Sequence, residues 1–271
     1  MNPMQVNPEN PIGVFDSGIG GLTVAKALFE GLPFENIIYF GDTARVPYGV
    51  KSVKTISLYA QQITQFLLSQ EVKLLIVACN TMSSVAYHVI ADLSPVPVFG
   101  VVDAGASSAV AQTNNKRVGV IGTPATIGSN AYPRAINEYD PEIRVFSQPC
   151  PLFVPLVEEG WLDHQVTRLT AEEYLKPVVA FGIDTLVLGC THYPLLKPML
   201  REVLGDEIAL IDSAQSITEQ TAQLLKRDNL LREHHGLPEH RVFVTDFPIK
   251  FQEIGERFLG RALSNVELVN W

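Results

Sequence analysis

The chain has 271 residues, 46% hydrophobic and 18% charged, with a formal net charge of −9. This composition suits one large or two moderate folded domains and excludes a disordered chain. The scattered Lys and Arg residues exclude the basic footprint of a nucleic-acid binder, and three cysteines (Cys79, Cys150, Cys190) do not make a disulfide framework.

The opening MNPMQVNPEN lacks a basic start followed by an apolar stretch, so it predicts no secretory signal. No apolar run reaches the roughly 18 residues of a membrane span. These features together predict a cytoplasmic protein with reduced thiols and no membrane partner.

In chain order, Ile12–Phe15 reads as a first strand, followed by the turn DSGIGG and a helix over LTVAKALFEGL. Asn36–Phe40 is a second strand that runs into the loop GDTARVPYG. Thr55–Gln70 has helical spacing. KLLIVAC is a third strand, and NTMSSVAYHVIADL a single helix capped by Asn80 or Thr81. Val96–Val102 reads as a fourth strand. Further strands follow at RVGVIG, EIRVFSQPC, DTLVLGC, EIALID and HRVFVTDFP, with helices at SAQSITEQTAQLLK and IKFQEIGERFLGRAL. Continuous apolar strands alternating with amphipathic helices predict an α/β fold with parallel sheets covered on both faces. Ligands in such folds bind beyond the carboxyl ends of the strands.

The strand ends repeat. GVFDSG aligns with GVIGTP at an offset of 122 − 16 = 106, VACNT with LGCTH at 190 − 79 = 111, and GVVDAGA with ALIDSA at 212 − 103 = 109. Two related α/β domains facing one another across a shared cleft are the expectation.

Each half then carries a cysteine at a strand end that opens into a helix, near the positive end of the helix dipole, where a thiol loses its proton more readily. Two such thiols on opposing domains suit a two-base racemase. One takes a proton from one face of a carbon as thiolate, and the other delivers a proton to the opposite face as thiol. His192 is placed to poise Cys190, and Asp16, at the matching strand end of the first half, to serve Cys79. Ser17, Asn80, Thr81, Thr123 and Thr191 bring hydroxyls and amides to helix N-termini, where they can hold carboxylates without arginine.

Plainer roles exist for each residue. A lone cysteine is often a buried small hydrophobe, and Cys150 in SQPCPLF is read that way, as structural. Asp16 alone could cap a helix, His192 could be a core histidine, Tyr48 could be loop packing and Glu158 a solvated helix end. Gly18, Gly20 and Gly21 could serve only a tight turn. A zinc site from Cys79, Cys190 and His192 lacks a fourth ligand and any CxxC or HxxxH spacing, so no metal is expected. DSGIGG is not a dinucleotide loop, because Thr23 stands where the third glycine is required.

VFDSGIGGL, YFGDTARVPYG, ACNT and GCTHYPLL together closely resemble the glutamate racemases of the Asp/Glu racemase family, over Ile12 to about Ala214. The resemblance implies cofactor-independent interconversion of L- and D-glutamate, supplying D-glutamate for bacterial peptidoglycan. It implies that Cys79 and Cys190 are the acid/base thiols, that Asp16 and His192 support them, and that Glu158 is an acidic residue near the second thiol, with Glu159 as the neighbouring alternative. Asp16–Ser17, Tyr48–Gly49, Asn80–Thr81 and Thr191–His192 match the family's substrate-binding pairs. It also implies two pseudo-symmetric domains, here 1–101 with 208–271 and 102–207, and a homodimer. Two other readings remain: a two-cysteine racemase for aspartate or another small acid, and a non-catalytic clamp for an anionic ligand. The clamp is disfavoured because an uptake or export clamp would carry a signal peptide.

Overall fold

A computed structural model of the chain describes residues 6–233, 236–263 and 265–270; residues 1–5, half of the opening stretch read above for a secretory signal, lie outside them. The strands are β1 (Ile12–Asp16), β2 (Ile37–Gly41), β3 (Leu74–Val77), β4 (Val98–Gly100), β5 (Arg117–Gly122), β6 (Arg144–Pro149), β7 (Thr185–Gly189), β8 (Ala209–Ile211), β9 (His240–Val244) and β10 (Val266–Leu268). They form two sheets, in the orders β10-β9-β2-β1-β3-β4 and β6-β5-β7-β8, and every pairing is parallel. The predicted α/β class with two helix-flanked parallel sheets is the observed one. β1, β3 and β7 are buried along their whole lengths, because helices cover both faces.

The repeat is visible in the topology. β2-β1-β3-β4 and β6-β5-β7-β8 share one strand order, in which the first and third strands of each half lie side by side and the direction of winding reverses between them. Phe15 pairs with Val77 in one half, and Gly122 with Gly189 in the other. Each sheet therefore has its switch point at the end of its central pair, which is where an open α/β sheet forms its crevice.

One buried apolar cluster runs through both halves. It includes Ile12 and Val14 of β1, Ile121 of β5 and Leu188 of β7, bridged by Leu22, Ala25 and Leu28 from helix Leu22–Gly31 and by Ile217 and Leu225 from helix Ser213–Arg227. The two switch points are held against each other by this shared core. Among the described residues no helix is long and apolar enough to cross a membrane.

Several local expectations are corrected. The fourth strand stops at Gly100, and Val101 and Val102 open helix Val101–Gln112, where the Val102 N–H donates to the Ser83 hydroxyl at 3.2 Å. The third repeat offset changes with it. β8 ends at Ile211 and β4 at Gly100, an offset of 111, so the counterpart of Asp212 is position 212 − 111 = 101 and not Asp103. The single helix over 80–93 is two helices, Asn80–Val85 and Tyr87–Leu93, broken at Ala86. Its N-cap is Cys79, not Asn80 or Thr81, which lie in the first turn. Helices Ala131–Tyr139 and Gln165–Ala180, and strand β10, lie in stretches that carried no sequence-level expectation, and Glu158 ends helix Phe153–Glu158.

At the end of the first sheet away from the cleft, Lys73 is fully buried. Its ammonium pairs with Glu35 at 2.6 Å and donates to the Pro8 and Leu230 carbonyls at 2.6 and 2.8 Å. Burial pulls its pKa down, with Glu35 pulling the other way. Lys73→Met strips the Glu35 carboxylate of its cation inside the protein, and a loss of about 3–5 kcal/mol is expected in urea unfolding.

Candidate active site

The site lies where the two switch points meet. A cavity of about 400 Å³ is lined by Ser17, Gly18, Tyr48, Gly49, Cys79, Asn80 and Thr81 from one side and by Thr123, Glu158, Cys190, Thr191 and His192 from the other. Of the residues expected to bind the substrate or move its protons, Asp16 is the one outside this lining. Its carboxylate sits just behind, fully buried at the end of β1. Val46, Pro47, Val50, Pro124, Pro151, Val154 and Pro155 complete an apolar rim.

Cys79 follows β3 and is 4% exposed, and Cys190 follows β7 and is 6% exposed. Both are free thiols, as is Cys150. The surroundings of the two differ. The Cys79 sulfur donates to the Ser17 hydroxyl at 3.6 Å. Burial, then the Asp16 charge, pushes its pKa up to about 12, against the N–H of Met82 and the contacts of Ser17. The sequence-based expectation of an easily ionised Cys79 is therefore reversed: the following helix is only six residues long, and desolvation outweighs its dipole.

Cys190 has a cation for a neighbour. Its sulfur lies 3.9 Å from His192 Nδ1, and His192 Nε2 lies 3.0 Å from Glu158 Oε1. Burial pulls the His192 pKa down, but hydrogen bonds to Cys190 and Glu158 and their charges outweigh it and lift it to about 10. The Phe258 ring stands edge-on to the imidazole at 5.4 Å, and Arg257 donates to the Glu158 carbonyl at 3.2 Å. The Glu158 carboxylate thus stands behind His192, and its side chain remains 45% exposed at the cavity edge.

Asp16 accepts the Gly18 N–H through Oδ2 at 3.0 Å, and Oδ1 has no hydrogen-bond partner among the described residues. Burial raises its pKa; the His192 charge and the N–H groups of Gly21, Gly18 and Ser17 oppose that. The turn that presents it has no room for a side chain. A Cβ on Gly20 would stand 2.2 Å from the Thr191 hydroxyl and 2.5 Å from His192 Nδ1. Glycine here is required by the close approach of the halves, a constraint more specific than a tight turn.

Polar contacts cross the cleft. Thr81, Thr123 and Thr126 hydroxyls form a ring with separations of 3.0, 3.0 and 3.3 Å. Tyr132 donates to Asn80 Oδ1 at 2.6 Å. Thr23 donates to the Thr191 carbonyl at 3.2 Å. Tyr48 is buried with its hydroxyl bonded to Asp42, which also accepts from Arg45 and Thr245, so what Tyr48–Gly49 can offer a ligand is backbone. Cys150 donates to the Gln148 carbonyl within the core, in line with a structural role. Thr126, Tyr132 and Asp42 were not singled out in the sequence. Asp42 stood in a quoted motif, whereas Thr126 reaches Thr81 and Tyr132 reaches Asn80, both in the other half of the chain. Among the described residues, no group of three or more His, Cys, Asp and Glu side chains is arranged to hold a metal ion.

The model of the Asp/Glu/Hydantoin racemase family matches residues 12–221. The chain belongs to that family. It is 66% identical over 264 residues to the glutamate racemase of Syntrophus aciditrophicus (strain SB), covering 97% of this chain and 98% of that one. It is 54% identical to the glutamate racemase of Neisseria meningitidis serogroup A / serotype 4A (strain DSM 15465 / Z2491) over 98% of both chains. The crystal structure of glutamate racemase from Francisella tularensis in complex with D-glutamate superposes with a TM-score of 0.92 at 45% identity, over 97% of this chain and 98% of that one. As a member of this family, the chain is a racemase.

The His192 surroundings give a pH prediction. The folded-state pKa is raised above the ordinary 6.5. The stabilisation from the charged ring is therefore complete below about pH 6.5 and is lost as pH climbs through about 10. Nitrogen-15 NMR of the imidazole should show a doubly protonated ring at pH 8. A neutral ring at that pH would refute the assignment.

Proposed function

We propose that this racemase interconverts L- and D-glutamate without a cofactor, using Cys79 and Cys190 as acid and base on opposite faces of the α-carbon. The observation that carries the reading is that both thiols, each at the end of the third strand of its half, open into one cavity. The glutamate racemase relatives, and the D-glutamate bound in the Francisella enzyme, support the substrate. A cavity of about 400 Å³ lined by N–H groups, hydroxyls and the Asn80 amide fits a small dicarboxylate amino acid.

The neighbours of the two thiols support a choice of starting roles. Cys79, with its pKa near 12, is the thiol. Cys190, beside the imidazolium of His192, takes the base role. The Cys190 thiolate takes the α-proton and becomes a thiol, leaving its electron pair on the α-carbon. That pair takes the Cys79 proton from the other face, which leaves Cys79 as thiolate. The reverse reaction exchanges the roles. His192, with Glu158 behind it, and Asp16 adjust the proton balance around each thiol. Ser17, Gly49, Asn80, Thr81, Thr123 and Thr191 hold the carboxylates.

In this reading 1–101 with 208–271 forms one domain and 102–207 the other. The protein works in the cytoplasm as a homodimer, and its product feeds peptidoglycan synthesis.

Circular dichroism of L-glutamate mixed with the purified protein alone should decay to zero. Cys79→Ser and Cys190→Ser should each lower the rate at least about 10²–10⁴-fold, the range for loss of a positioned acid or base. An unchanged optical signal with both enantiomers would remove glutamate as the substrate. Full activity in either variant would remove the two-thiol mechanism.

A further inference from the structure

Tyr132, on helix Ala131–Tyr139 of the second half, is 1% exposed and donates its proton across the cleft to Asn80 Oδ1 at 2.6 Å. Asn80 lines the cavity from the first half. An asparagine amide has two ends of similar shape and opposite polarity, and its hydrogen bonds decide which end faces where. With Oδ1 held by Tyr132, the end left over is the Nδ2 amino group. Among the described residues it donates to no protein acceptor.

The sense of the Tyr132 bond is itself fixed. Burial raises the phenol pKa, so the group keeps its proton. The Ser213 hydroxyl makes no hydrogen bond among the described residues, and the phenol's hydrogen bond is to Asn80 Oδ1. A phenol that keeps its proton donates it, and here the acceptor is Asn80 Oδ1. Room for the ring is kept by two glycines. A Cβ on Gly105 would stand 3.1 Å from Tyr132 Cε1 and 2.8 Å from Ser213 Oγ, and one on Gly189 would stand 3.1 Å from Tyr132 Cε2.

The geometry points to Tyr132 as a positioning residue that locks the Asn80 amide with its N–H groups toward the pocket, making this wall a donor for a substrate carboxylate. The inference rests on the reading of the cavity as a glutamate site and adds how its polarity is set. Because donor and acceptor come from different halves, the orientation exists only while the halves are closed on each other. Loss of the hydroxyl leaves the amide free to flip and offer its oxygen, which repels a carboxylate.

The test is D-glutamate affinity by calorimetry, with KM and kcat from racemisation, in wild type, Tyr132→Phe, Asn80→Ala and the double variant. Tyr132→Phe keeps the ring that fills the core, so it should fold, as a far-ultraviolet spectrum will check. Its Kd and KM should rise about tenfold, the scale of one buried hydrogen bond, with kcat changed less than about threefold. In the Asn80→Ala background the same substitution should change Kd less than about twofold, because the two act as one unit. Equal rises in both backgrounds, or no rise in the single variant, would overturn the inference while leaving the racemase reading intact. A wild-type protein that neither binds nor racemises glutamate would instead overturn the reading beneath it.

Discussion

The packing of Gly20 against Thr191–His192 is the contact between the two halves on which the site depends. There is no space for even a methyl group at Gly20, so the β1 turn carrying Asp16 and Ser17 and the β7 end carrying Cys190 form one surface. Displacing groups in such a site by about 1 Å can cost a hundredfold in rate. The shared apolar cluster holds the contact from behind, and the threonine ring, the Tyr132–Asn80 bond and the Thr23–Thr191 bond hold it from the sides. Side chains separated by more than a hundred residues thereby act as one constellation.

Burial then makes two chemically identical groups different. Cys79 has an acid and a hydroxyl for neighbours, and desolvation with the Asp16 charge keeps its proton on. Cys190 has an imidazolium, itself sustained by Glu158. The fold supplies a near-symmetric frame through its repeated strand order, and the neighbours of each thiol break that symmetry.

Much of this was legible in the sequence. The strands around Leu74 and Leu186 are continuous apolar runs because both faces of the sheets are covered, and their ends identify both thiols. Asp16, His192 and Glu158 follow from position and motif, and each stands beside the group assigned to it. Less legible were features set by contacts between distant segments. Val101 and Val102 look like strand, yet they turn into a helix where Ser83 receives the Val102 N–H. Cys79 reads as activated by a helix dipole until its burial beside Asp16 is seen. Tyr132 sits in AYPRAINEY, where nothing local marks it, and it matters only because folding brings Asn80 to it.

The central claim is that protons arrive and leave on opposite faces through different thiols. The direct measurement is α-deuterium in each enantiomer when unlabelled L-glutamate is incubated briefly with the protein in D2O. Newly formed D-glutamate should be almost fully deuterated while the remaining L-glutamate stays unlabelled, because the thiol that delivers the new hydrogen has exchanged with solvent and the one that removed the old hydrogen works on the other face. Protium retained in the D-glutamate, or deuterium appearing equally in both pools from the start, would mean that one group serves both faces, and the two-thiol account would fail.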